Sequence, residues 1–208
     1  MKYDFMARAF WLVFRGGYEY ELKNTLGVEN TKDVMKKAHR KYKEMLLSVQ
    51  PFERRTRFIS NIMIASILGS IYLTLEEKPE IEKMIVFNRE ALMNNKAMLK
   101  SIISEKNYTS EGQKKLQDEA LLSIQDNNPY SWQYTYEKGE SLMEYTVYFK
   151  TCGIWHLYQM WNIKELTPAM CKLDYDMARA NNTVFTRQLT LAEGGVSCDC
   201  HYKHTPKR

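Results

Sequence analysis

Apolar residues recur at helical spacing through the first 125 positions and then switch to alternation. The pattern predicts helices over roughly 4–14, 18–26, 31–47, 53–76, 80–104 and 110–125. Gly16-Gly17 and Gly27 are expected to break the early segments, Pro51 to end the third, and Pro79 to sit in the first turn of the fifth. In 31–47 the positions Val34, Ala38, Met45 and Leu46-Leu47 form one apolar face and leave the lysines outward. Residues 58–75, FISNIMIASILGSIYLTL, are apolar nearly throughout. Ser60, Asn61, Ser66 and Ser70 interrupt them and no second such stretch follows, so they read as a buried helix and not as a membrane span.

After Asn127-Asn128-Pro129 the period becomes two. YSWQYTY and SLMEYTVYF, separated by Glu137-Lys138-Gly139-Glu140, predict an antiparallel hairpin. In its second strand Met143, Tyr145, Val147 and Phe149 form the more apolar face, which should meet the helices. A short helix follows Cys152. Another spans 168–180, with Thr167 as its cap and Pro168 at its first position. TVFTRQLTL and VSCDCHYK complete the pattern as strands about a tight Glu193-Gly194-Gly195 turn. The expected architecture is α+β, an N-terminal helical layer packed on a small C-terminal antiparallel sheet with inserted helices. The 208 residues read as one domain, with 1–126 mainly helical and 127–208 carrying the hairpin, inserted helices and closing strands.

Composition is that of an ordinary globular chain, with 44% hydrophobic and 26% charged residues, which argues against disorder. The net charge of +5 is concentrated in Lys36, Lys37, His39, Arg40, Lys41 and Lys43 and in Arg54, Arg55 and Arg57. Without an RNP motif, finger spacing or zipper these runs read as solvated helix faces, so neither nucleic acid nor membrane is expected as a partner. The start of the chain carries Asp4, Arg8 and Arg15 and does not resemble a secretion signal, which makes a cytoplasmic location the expectation. Four cysteines there are expected to be reduced, and metal binding or reactivity outranks a disulfide frame.

Chemistry concentrates late. Cys171 and Asp174, three apart on one helix, share a face, and a cysteine near a helix start is favoured as thiolate; the simpler reading is a small buried hydrophobe. In VSCDCHYK a strand places Cys198 and Cys200 on one face and Asp199 and His201 on the other. The four cannot all converge on one atom without a bulge, and Cys-x-Cys-His-x-x-His is a weak match to zinc spacing, so no metal is assigned. His156 follows Cys152 by four on a helix, where a packing histidine is the simpler reading, and Trp132, Tyr134, Tyr136, Trp155 and Trp161 read as core. No P-loop, GxGxxG, HExxH or serine-nucleophile elbow occurs, and no cofactor is expected.

The ending, YTVYFKTCGIWHLYQMWNIKELTPAMCKLDYDMARANNTVFTRQLTLAEGGVSCDCHY, resembles the L-2-amino-thiazoline-4-carboxylic acid hydrolase family. The resemblance rests on Cys152 after a strand, Glu165-Leu166 before Cys171 and Asp174, Arg187 with Thr190, a Gly at 194 or 195, and Cys198-Asp199. Cys200 and His201 depart from it, standing where the family has phenylalanine and arginine. It implies hydrolytic opening of a cyclic isothiourea to an N-carbamoyl cysteine. Cys171, Asp174, Cys198 and Asp199 would stand at the reaction centre and Cys152, His156, Arg187 and His201 around a small-molecule substrate. Whether Asp174 or Asp199 handles the proton is open, as is a homo-oligomer. The rival readings are a non-catalytic ligand or metal sensor using the same pocket, and an interaction module built on the basic helices.

Overall fold

The structure, a computed structural model, describes residues 1–53, 56 and 58–205. Arg54, Arg55 and Arg57, and with them most of the expected helix start near 53, lie outside the described residues.

Helix α1 runs unbroken from Phe5 to Asn24, capped by Asp4, whose carboxylate accepts the Ala7 N–H at 3.0 Å. The expected break at Gly16-Gly17 does not occur. A Cβ on Gly17 would lie 2.5 Å from the Ala91 carbonyl oxygen, so this glycine lets α1 approach α4 (Ile81–Met93) closely. Gly27, at φ +71°, does end the segment.

Helix α2 (Thr31–Ser48) turns Met35, Ala38, Tyr42, Met45 and Leu46 inward, but Leu47 is exposed. His39 is not merely solvated: it stacks on Trp11 at 4.5 Å and shares a 2.7 Å hydrogen bond with Tyr3. Helix α3 (Ile59–Thr74) is buried over every residue from Ile62 to Tyr72, as a helix apolar on all sides must be, and it forms the centre of the helical layer. Ser66 and Ser70 satisfy their hydroxyls on its own carbonyls. No helix among the described residues is long and apolar enough to cross a membrane. The segment expected as one helix over 80–104 is two, because Asn95 caps α5 (Lys96–Ile102) through the Ala97 and Met98 N–H groups. Helix α6 (Ser110–Ser123) completes the first half.

The second half is an antiparallel sheet in the order β1-β2-β4-β3, made of Tyr134–Lys138, Glu144–Phe149, Cys198–His204 and Thr183–Thr186. Its register pairs Tyr145 with Tyr202, Val147 with Cys200 and Phe149 with Cys198, all on the face toward the helices. Thr146 opposite His201 and Tyr148 opposite Asp199 occupy the other face. The chain is thus α+β, with the helical layer on one face of the sheet.

Three inserted helices join the strands: α7 (Gly153–Met160), α8 (Thr167–Cys171) and α9 (Leu173–Ala180). The helix expected over 168–180 is therefore divided. Thr167 does not cap it either, since its own backbone is helical and its hydroxyl donates to the Lys164 carbonyl. Strand β3 stops at Thr186, well short of the expected Leu191, and an eleven-residue excursion over 187–197 replaces the expected tight turn. Within it Gly194 adopts φ +87°.

Candidate active site

The sheet and helices do not close completely. Between the inner face of β2 and β4 and helices α3, α7, α8 and α9 lies a chamber of about 300 Å³. Cys152, Cys171, Asp174, Arg187, Cys198 and Cys200 all stand on its wall, among apolar side chains such as Trp132, Val147, Phe149 and Met177.

Arg187 organises the chamber. Its side chain is only 4% exposed, and its two terminal nitrogens donate to Asp174 Oδ2 and to the Cys171 carbonyl, each at 2.8 Å. Its guanidinium lies over the rings of Phe185 and Tyr175, at 5.3 and 5.6 Å. Nε is buried without a partner. Burial opposes the guanidinium charge, but Asp174 and the neighbouring Cys171 and Cys200 overcome that and hold it firmly protonated.

The division between α8 and α9 follows from the same residue. In an unbroken helix the Cys171 carbonyl would accept the Tyr175 N–H. Here it takes Arg187, and the Tyr175 N–H turns to Lys172. Cys171 therefore sits at the carboxyl end of a short helix, where carbonyls and not amides concentrate, and the expected thiolate-favouring position does not exist.

Asp174 presents 41% of its side chain, but to the chamber and an adjoining cavity, since it lines both. Desolvation raises its pKa, and the Arg187 charge and hydrogen bond only partly oppose that. The four thiols differ. Burial raises Cys171 well above its usual range, Cys200 to about 12 and Cys152 to about 11. Cys152 caps α7, and the Trp155 N–H reaches its Sγ at 3.5 Å. Cys198 is also raised by burial, but the Leu191 N–H, 3.3 Å from Sγ, and the positive charge of Arg187 both favour its thiolate.

The remaining sequence candidates lie elsewhere. Asp199 projects from the opposite face of β4, and its Oδ1 accepts the Gln188 and Leu189 N–H groups at 3.0 and 2.6 Å. Burial would raise its pKa, but those amides, its own N–H and His201 lower it. His201 stays on that outer face, 2.8 Å from Thr146 Oγ1 and 3.7 Å from Asp199. His156 packs edge-on against Tyr130 in a separate cleft of about 500 Å³, which reaches the other side of Cys152. Burial lowers its pKa. Cys200, which the sequence reading left outside the site, is brought in by the period of two that it shares with Cys198. Phe58 and Asn61 join from α3 and the turn before it, with no local signal in the sequence. Among the described residues no three His, Cys, Asp or Glu side chains are placed to hold a metal ion.

An α+β chain whose chamber gathers four thiols around an arginine-held carboxylate has groups suited to nucleophilic and acid–base chemistry. The chain belongs to the L-2-amino-thiazoline-4-carboxylic acid hydrolase family, whose model matches residues 60–202. The match runs from α3 to β4 and so includes every residue of the chamber wall except Phe58. No curated protein matches the chain.

Proposed function

We propose that this protein opens a small cyclic isothiourea, such as 2-aminothiazoline-4-carboxylate, to an N-carbamoyl cysteine type product. The observation that carries the reading is the pairing of Asp174 with Arg187 in a largely apolar chamber whose wall also holds Cys198. A carboxylate in such a place complements an amidinium, and desolvation, which raises its pKa above the ordinary carboxylate value, makes it a better proton acceptor than a solvated carboxylate.

Cys198 is the nucleophile of this reading: burial raises its thiol, but it is the one chamber thiol that both a backbone amide and the Arg187 cation pull toward thiolate. Its proton passes to Asp174 and Sγ adds to the carbon between the two nitrogens and the ring sulfur. The bond from that carbon to the ring sulfur breaks, and the departing thiolate takes the proton from Asp174. Water then adds to the protein-bound isothiourea with Asp174 as base. The bond to Cys198 Sγ breaks, the urea leaves and the cysteine thiol is restored. Arg187 is a positioning residue: two of its nitrogens are committed to Asp174 and Cys171, so it fixes the carboxylate and does not offer an open fork to an anion.

Thiol release from 2-aminothiazoline-4-carboxylate, with the product confirmed by mass, tests the reading. Wild-type turnover lost by at least ~100-fold in both Cys198→Ala and Asp174→Asn is the expected result. A folded wild-type protein without turnover would remove this substrate, and full turnover in Cys198→Ala would remove the covalent route.

A further inference from the structure

The chamber continues into a space much larger than its chemistry requires. Beyond Asp174 lies a second cavity of about 690 Å³, and Phe58, Asn61, Ile64, Met98, Met177 and Tyr202 line both. The far wall comes from α1, through Ala9, Phe10, Val13 and Phe14, and from α5, through Ala97 and Ile102. Among the described residues lining this cavity Asp174 is the sole charged side chain.

The polar groups farther out are already committed. Asn181 is bonded through both ends of its amide to the Ser104 backbone at 2.8 and 3.0 Å. Tyr108 shares a 3.0 Å hydrogen bond with Thr183, and Ser101 donates to Met98. This vestibule therefore offers contact to carbon and few free hydrogen-bonding groups.

Pockets of about 300–1,000 Å³ enclose drug-sized ligands, so the chamber alone is already ample for a single five-membered ring with one carboxylate. At about 30 Å³ per molecule, water filling the vestibule would number on the order of twenty molecules against mostly apolar walls. Removing that apolar surface from water is a driving force that a bare ring cannot use.

We propose that the natural substrate is an amidine with an apolar tail, the head held at Asp174 in the chamber and the tail lying in the vestibule between α1 and α5. The proposal rests on the amidine reading of the chamber and adds the tail. Turnover of the bare ring would then be a minor activity of a protein built for a longer molecule.

Calorimetric titration of the full chain with S-methyl-, S-butyl- and S-octylisothiouronium tests it, with n-alkylcarboxylates of matching length in parallel. Affinity for the isothiouronium series is expected to rise by up to about fourfold for each methylene buried. Ala97→Trp, at an exposed position that lines the vestibule but not the chamber, is expected to erase the gain for the octyl compound and leave S-methyl binding unchanged. Ala9→Trp obstructs the same space from α1, so the outcome does not depend on one variant folding.

Affinity that is flat with length, or a gain undiminished in both variants, overturns the proposal. A length-dependent gain for carboxylates without isothiouronium binding keeps the apolar channel and removes the amidine head. Binding by neither series overturns both.

Discussion

Asp199 offers the sharpest separation of a structural role from a chemical one, because the family motif sets it beside Cys198 while the sheet sets it on the opposite face. Its Oδ1 is the common acceptor for the Gln188 and Leu189 N–H groups. Hydrogen bonds to a charged group contribute about 1.5–3 kcal/mol each. Gln188 and Leu189 are exposed, so water can replace part of that, and Asp199→Ala is expected to cost about 2 kcal/mol in total. For a chain of this length that is a fall of roughly 4–8 °C in Tm. Asp199→Asn can keep both bonds on its amide oxygen and loses only the charge, so about half that cost is expected. The folded pKa is depressed, so the stabilisation is present above the ordinary carboxylate pKa and is lost as pH falls through the folded value. The difference between wild type and Asp199→Ala should close in acid over that interval. In activity, Asp199→Asn should stay within about threefold of wild type, because the loop that places Arg187 is intact. Thermal unfolding from neutral to acid pH, with turnover per folded molecule, gives both readouts. An Asn variant as stable as wild type but inactive would refute the structural assignment and return Asp199 to the chemistry.

The two adjacent glycines of α1 should behave in opposite ways. Gly17→Ala meets the Ala91 carbonyl and is expected to destabilise by about 2 kcal/mol or more, whereas Gly16→Ala, with nothing within 4 Å, should stabilise by about 0.5–1 kcal/mol in urea unfolding. The ascending limb of kcat/KM against pH should lie above the ordinary carboxylate range of about 4, because Asp174 must ionise against desolvation, and Asp174→Asn should abolish that limb along with at least ~100-fold of the rate. Removing the pair together tests how it is held: Arg187→Met alone is expected to cost about 2–3 kcal/mol, at or below the low end for a broken buried pair because Asp174 can take up a proton. Arg187→Met with Asp174→Leu should recover most of that stability and none of the activity, as chemical denaturation and the thiol assay would show.

The elements with a clean period were legible in the sequence. The apolar face of β2 and the all-round apolar α3 lie where their patterns place them, because burial on one face or on all faces is what those patterns encode. The division of β4 into a Cys198–Cys200 face and an Asp199–His201 face was legible for the same reason. What local pattern could not carry was any decision made by a distant partner. Gly16-Gly17 looks like a helix break until Ala91 arrives against it, and Cys171 looks like a helix start until Arg187 takes its carbonyl. Strand β3 looks long until the Gln188 and Leu189 amides, one of which a longer ladder with β4 would use, both go to the carboxylate of Asp199.

These departures converge on one physical device. Asp199, on the outer face of β4, holds the backbone of 188 and 189, and this fixes the point from which Arg187 crosses to the inner side. There Arg187 holds Asp174 and takes the Cys171 carbonyl, at the division between α8 and α9 on the chamber wall. The adjacent Cys198 and Asp199 therefore serve the site from opposite faces of one strand, the first as a chamber thiol and the second as the anchor of the loop that carries the arginine. Substitutions on the outer face should accordingly act on the chamber only through the position of Arg187. The departure at His201 leaves the chamber wall itself unchanged, while Cys200 lies on that wall.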